Sequence, residues 1–230
     1  MAEKILNFIK KPSLCIDKSN ISGNSFLKLL LLFYMILIPA SAFIFIMNIF
    51  EILPSNRIED PDATLNSLGY IIFLAPLLEE LVFRLPLRLS RITLSVSFAV
   101  FIIVVIKLFF FPKDVYTIYL LSIPLSGFIF GLLSYVTNIY LKINKLWEKY
   151  FFYIFYFFAL VFGLSHLFNY YEIHWWMILS SPLLTLPHII MGFFLGFIRL
   201  NYGFLYSFLF HVTINFIPSV PLIVKLLIML

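Results

Sequence analysis

The strongest constraint on this chain is a series of apolar runs, most close to twenty residues long, separated by short polar or basic stretches. A helical run of that length matches the ~30 Å hydrocarbon core of a bilayer. A membrane barrel would instead show alternation over segments of ~10 residues, and the runs here are continuous. In order they fall at 27–50, 68–88, 93–111, 116–141, 151–169, 176–198 and 202–217, followed by an apolar tail at 219–230. The fold expected is all-α: a polytopic transmembrane bundle of about seven to eight membrane helices, forming one integral membrane domain over 1–230. Pro218 and Pro221 are expected to break the tail from the helix before it, because proline interrupts the backbone ladder, which leaves the tail re-entrant, interfacial or the continuation of a kinked last helix.

Composition agrees. The chain is 63% hydrophobic and 12% charged, where soluble domains are about half apolar and a quarter charged. The net charge of +5 is distributed between the runs and forms no clustered basic face, so it speaks for topology and not for nucleic acid. Lys4, Lys10, Lys11, Lys18 and Lys28 precede the first run; Arg88 and Arg91 follow the second; Lys142, Lys145 and Lys149 follow the fourth; Arg199 follows the sixth. A cytoplasmic N-terminal segment, residues 1–26, puts all of them on the inner side. "EILPSNRIEDPD" and "FPKD" then lie outside, with Trp175 and Trp176 at one interface and Trp147 at another. The single cysteine, Cys15, leaves no internal disulfide and no cysteine-rich metal site.

Charges inside the runs need a use. "APLLEELVFRLPLR" holds Glu79, Glu80 and Arg84, and each charge at mid-bilayer costs roughly 2.5–3.5 kcal/mol on insertion scales. Glu80 and Arg84 are four apart, so they share a helical face and can pair. Glu79 points about 100° away and has no local partner, which leaves a carboxylate free to handle a proton. "FALVFGLSHLFNY" places His166 four residues after Phe162, and "FLFHVTINF" places His211 and Asn215 on one face. Each group alone reads equally well as interhelical glue, and Arg84 could snorkel to the interface. Together, polar groups on three separate runs require a common polar interior. A carboxylate can activate water, an imidazole can hold it, and an imidazole with a carboxamide can donate to an oxyanion. No serine or cysteine shows a convincing nucleophile context, so the set points to hydrolysis by activated water.

These motifs resemble those of the CPBP family, which comprises type II CAAX prenyl endopeptidases, bacteriocin-processing and self-immunity proteins and related intramembrane proteases. "EELVFR" is similar to its Glu-Glu-x-x-x-Arg motif, "FGLSH" to Phe-x-x-x-His and "HVTIN" to His-x-x-x-Asn/Asp, over residues 70–90 and 155–217. The resemblance implies a helical-bundle protease in a bacterial cell membrane, with a cavity open to the cytoplasm and bilayer. It implies Glu79 as general base, Glu80 and Arg84 as its support, His166 as a water-positioning group, and His211 with Asn215 as the oxyanion site. The implied partner is a hydrophobic or lipid-modified, CAAX-like peptide. The cofactor is open: none, or a divalent metal such as zinc held by Glu79, His166 and His211.

The chain departs from the family pattern in two places. Leu85 follows Arg84 where many members have glycine, so the helix is expected to continue past Arg84. Between Glu79 and His166 lie 87 positions, enough for two further crossings, which preserve the antiparallel relation of the motif helices. By depth, Glu79 lies about 14 Å from Arg88 and His211 about 18 Å from Arg199, but His166 lies about 26 Å from Lys149. The fifth run must therefore tilt or begin beyond that lysine. His174 with Glu172 reads as a solvated loop pair; Pro182 and Pro187 are expected to kink the sixth run, and His188, after Pro187, could line the cavity but has no motif support. Two rivals share the composition: a non-proteolytic bacteriocin self-immunity or membrane scaffold protein, and a proton-coupled transporter, which should show inverted repeats. No repeat is evident.

Overall fold

A computed structural model describes residues 1–14, 22–54, 68–109, 128, 137–170 and 172–228. The described residues form helices and no strand. In chain order they are α1 Ala2–Lys10, α2 Gly23–Ile49, a π-helical turn Tyr70–Leu74, α3 Ala75–Phe83, a 3-10 turn Leu85–Leu87, α4 Arg91–Phe109, α5 Thr137–Lys149, α6 Phe151–Ser165, a 3-10 turn His166–Asn169, α7 Trp175–Leu179, α8 Ser181–Leu184, α9 Leu186–Asn201 and α10 Phe204–Ile228. Among the described residues three stretches are long and apolar enough to cross a membrane: Gly23–Ile49, Phe151–Asn169 and Phe204–Lys225. Arg91–Val105 and Leu186–Asn201 are apolar but shorter.

The differences from the expected runs have local causes. The run at 68–88 is broken: its first turn is π-helical, and Pro86 sits in a 3-10 turn directly after Arg84. The helix therefore does not continue past Arg84 as Leu85 suggested. The run at 176–198 is cut into three helices, with Pro182 and Pro187 each in a first turn, where a missing N–H costs nothing. Most of 116–141 lies outside the described residues, as does Cys15. The tail is not separate: α10 runs through Pro218 and Pro221 to Ile228. Pro218 has no N–H for the Ile214 carbonyl, and the Tyr34 hydroxyl of α2 lies 3.4 Å from that oxygen. The helix of the fifth run begins at Phe151, just beyond Lys149, which shortens the distance to His166 by only about 3 Å and leaves that histidine deeper than Glu79 and His211.

Packing centres on α9. It lies against α6 at unusually close range because glycines line the contact. A Cβ at Gly192 would stand 2.7 Å from the Ala159 carbonyl oxygen, and one at Gly163 would stand 2.8 Å from the Ile189 Cα. Around this pair Leu29, Phe33, Phe162, Phe194, Phe197 and Phe210 form a buried core. The N-terminal segment also contributes, which the sequence reading did not foresee. Ile5, Phe8 and Ile9, set among charged neighbours, make α1 amphipathic, and Phe8 meets Phe155 and Phe197 edge-on at 5.3 Å each. Tyr156 of α6 donates to the Ile9 carbonyl at 2.7 Å.

One end of the bundle is fastened by arginine. Arg199 of α9 donates from Nε to the Arg84 carbonyl at 3.0 Å and from Nη2 to the Leu85 carbonyl at 3.2 Å. These carbonyls stand at the end of α3, where the Arg84 carbonyl also accepts from the Leu87 N–H at 3.2 Å, so Arg199 serves as a cap there. Arg88 returns the contact by donating to the Leu200 carbonyl. Gly203, at φ 109°, then reverses the chain into α10. That tight reversal lays the first turns of α10 back along α9 and α3.

Candidate active site

Four of the six candidate residues share one buried cluster. The His211 imidazole stands between the two adjacent carboxylates, with Nδ1 3.1 Å from Glu80 Oε1 and Nε2 3.4 Å from Glu79 Oε2. Glu80 is completely buried, His211 is 1% exposed, and Glu79 keeps 31% of its side chain exposed. Arg84 Nε is 3.7 Å from Glu80 Oε1, so the expected i,i+4 pair forms, though loosely. No atom of that guanidinium has a hydrogen-bond partner among the described residues. Its carbon instead lies 4.0 Å from the centre of the Phe162 ring, a cation–π contact that offsets part of the missing bonding.

Ser207, which the sequence reading passed over, completes the cluster. Its hydroxyl is 2.5 Å from Glu80 Oε2 and 3.0 Å from the Leu195 carbonyl, joining α10, α3 and α9 at one atom. A signal was present: Ser207, His211 and Asn215 are spaced by four and form a single stripe on α10. With Glu80 ionised and accepting, Nδ1 of His211 carries the hydrogen, which leaves Nε2 as the basic nitrogen facing Glu79. Glu79 is thus not partnerless; its partner comes from a distant helix.

Asn215 is placed otherwise than the motif implied. Its amide donates to the Ile71 carbonyl at 3.0 Å. Backbone chemistry explains this. In the π-helical turn the Ala75 N–H bonds the Tyr70 carbonyl, so the next donor in that register would be residue 76 to the Ile71 carbonyl. Residue 76 is proline and has no hydrogen to give. Asn215 fills the gap.

His166 is joined to the cluster only through a ring. It lies at the end of α6, Nδ1 2.8 Å from the Phe162 carbonyl, and Phe162 meets His166 at 4.9 Å and His211 at 5.9 Å. Its closest ring partner is His188, stacked at 3.9 Å and 21°. The two imidazoles face a cavity of about 420 Å³ whose polar lining also includes Asn48, Glu51, Asn169 and Thr185. The cavity lies at the N-terminal end of α9, opposite the arginine-capped end, and not at the basic end that the resemblance implied. His188 lines the cavity, as its place in the sixth run allowed; its stacking on His166 depends on the glycine-lined approach of α6 and α9. The pair His174–Glu172, at 3.8 Å, is exposed as expected.

A zinc ion would need ligand atoms about 3.3 Å apart, given bonds near 2.0–2.1 Å. Glu79 and His211 meet that spacing at 3.4 Å. His166 does not join them, and among the described residues no three of His, Cys, Asp or Glu come close enough together to hold an ion. The three-ligand metal set is not assembled. The remaining chemistry is proton transfer: a part-exposed carboxylate next to an imidazole whose far nitrogen is fixed by a second, buried carboxylate.

Compared with known proteins, the chain matches no family model, no curated protein and no solved structure.

Proposed function

We propose that the chain is an integral, multi-pass membrane endopeptidase of about seven to eight membrane helices, with its N-terminus in the cytoplasm of a bacterial cell. Its substrate is a hydrophobic or lipid-modified peptide, and the reaction is hydrolysis by activated water. Glu79 takes the proton of the attacking water, and His211, steadied through Nδ1 by Glu80, shares it through Nε2. Protonated His211 then stabilises the oxyanion or returns the proton to the leaving amine. The observation that carries this reading is the chain Glu79–His211–Glu80–Ser207, built across α3, α9 and α10, with His211, Glu80 and Ser207 buried and Glu79 part-exposed. A purely structural ion pair has no use for a second carboxylate that stays part-exposed.

A second reading, a non-proteolytic immunity or scaffold protein, is favoured by one observation. Asn215 and His166 both spend their polar groups on backbone carbonyls. The test is reconstitution of the full chain in liposomes with internally quenched hydrophobic peptides, one set carrying a farnesylated cysteine. Wild type should cleave at least one set, and Glu79→Gln should abolish turnover while unfolding at an unchanged temperature. Turnover by Glu79→Gln refutes the base assignment. Absence of cleavage by wild type across both sets favours the scaffold.

A further inference from the structure

The cavity beside His166 and His188 has no part in the proton chain above, and its polar lining is biased towards acceptors. His166 turns Nδ1 to the Phe162 carbonyl at 2.8 Å, so the ring hydrogen sits there and Nε2 keeps its lone pair. The Thr185 hydroxyl gives its hydrogen to the Ser181 carbonyl at 2.8 Å, which leaves its oxygen as an acceptor. Glu51 adds a carboxylate, and no lysine or arginine lines the cavity. His188 keeps a buried Nδ1 with no hydrogen-bond partner among the described residues.

Two further observations mark the cavity as a place for a ligand. Glu51 follows α2 at φ 53°, in the left-handed region, and the Ile52 N–H bonds the Met47 carbonyl at 3.0 Å across it. Helix ends of this form usually put glycine or asparagine at that position, because a side chain there strains the turn. The residue that bears the strain is the one that brings a negative charge into the cavity wall. The rest of the wall is apolar and firmly packed. Leu53 and Leu184 belong to a buried cluster with Leu167 and Met177, against which Trp176 rests.

We propose that this cavity binds an organic cation, an alkylguanidinium or alkylammonium group such as an arginine or lysine side chain carries. Its stem lies against Ile44, Leu53 and Leu184, and its head faces Glu51, the Thr185 oxygen and Nε2 of His166. Charge and hydrogen count select this class. A guanidinium has five N–H donors and no acceptor, the complement of those three groups. A metal ion suits the cavity less. Among the described residues no three of His, Cys, Asp or Glu come close enough together to hold one, and about 420 Å³ is far more than an ion fills. An aminophospholipid headgroup carries the same ammonium beside a phosphate, and the lining has no cation to meet that phosphate. The proposal is independent of the hydrolytic reading.

The test is titration calorimetry on the full chain in an uncharged maltoside detergent, with two probes of one shape. N-acetyl-arginine amide carries the cation, and N-acetyl-citrulline amide replaces it with a neutral urea. The arginine probe should bind roughly tenfold more tightly than the citrulline probe, and Glu51→Gln should bring that ratio to about one. Thr185→Val keeps the volume and removes the oxygen, and should weaken the arginine probe about threefold or more. Equal binding of the two probes to wild type, no binding of either, or a ratio that survives Glu51→Gln overturns the proposal. If Glu51→Gln fails to fold, unchanged binding of the arginine probe by Thr185→Val overturns it instead. Competition separates the sources of the ammonium. Butylamine should displace the arginine probe, and glycerophosphoethanolamine should not. Displacement by the two at equal concentration would assign the cavity to a lipid headgroup and overturn the proposal.

Discussion

Replacing Asn215 by alanine separates two roles that one side chain could play. In the folded protein its amide supplies the hydrogen that Pro76 cannot give to the Ile71 carbonyl. Without it that carbonyl stands unpaired in apolar surroundings, at a cost of about 1–3 kcal/mol. The proline gives a way to undo the damage. In Pro76→Ala a backbone N–H reaches the Ile71 carbonyl in either register: the introduced alanine provides it if the turn stays π-helical, and Ala75 if the turn relaxes to α. The loss from Asn215→Ala should therefore fall to about 0.5 kcal/mol in the Pro76→Ala background, leaving a coupling of about 0.5–2.5 kcal/mol. Equilibrium unfolding of the four proteins in mixed detergent measures it. Additivity within about 0.3–0.5 kcal/mol would refute the gap-filling argument. Peptide cleavage by the same four proteins then divides the roles. If the double variant regains stability but not turnover, Asn215 also serves the reaction; if both return, its contribution is structural.

Two other substitutions test the frame around the site. Ser207→Ala removes the hydroxyl that donates to Glu80 Oε2, an oxygen of a completely buried carboxylate, and should destabilise by about 1–3 kcal/mol. Ser165→Ala, whose hydroxyl bonds its own helix at Phe162, should cost less than about 0.5 kcal/mol by the same unfolding assay. Gly192→Ala places a methyl 2.7 Å from the Ala159 carbonyl oxygen and 3.1 Å from the Ala159 Cα, and forcing α6 and α9 apart should cost about 1–3 kcal/mol. Gly23→Ala, with nothing within 4 Å, is the control in thermal unfolding and should sit within about 0.5 kcal/mol of wild type.

What the sequence disclosed follows from which interactions are local. Run length and continuity identify α2, α6 and α10, and the four-residue spacing of Glu80 and Arg84 announces their pair. The seams were harder. Pro182 and Pro187 suggested a kinked helix, and the chain instead restarts at each, because proline in a first turn forfeits no bond. Pro218 suggested a break, and none occurs, because α10 has a neighbour whose tyrosine approaches the abandoned carbonyl. Glu79 looked unpartnered because its partner lies on a helix more than a hundred residues away. No one-dimensional pattern distinguishes which of two adjacent carboxylates is locked inside and which keeps contact with the surface. Ser207 was findable from its stripe with His211 and Asn215, but a serine in an apolar helix commonly bonds its own backbone, so its type alone announces no distant partner.

The helices around the cavity are held by two different kinds of force. α3 and α9 are riveted through the Arg199 and Arg88 contacts, and α10 is pinned to both by Ser207. α2, which supplies Ile44 and Asn48 to the cavity wall, meets α9 through Leu29 and the Phe33–Phe194 rings, and meets α10 through Phe26 and Phe33 against Phe210 and one long hydrogen bond. Dispersion has no preferred direction, whereas a bond to a carbonyl weakens steeply once its angle is lost. A small translation of α2 would therefore act like a sliding panel: it would shift the cavity wall at Ile44 and Asn48 and leave the bonds among Glu79, Glu80, His211 and Ser207 intact.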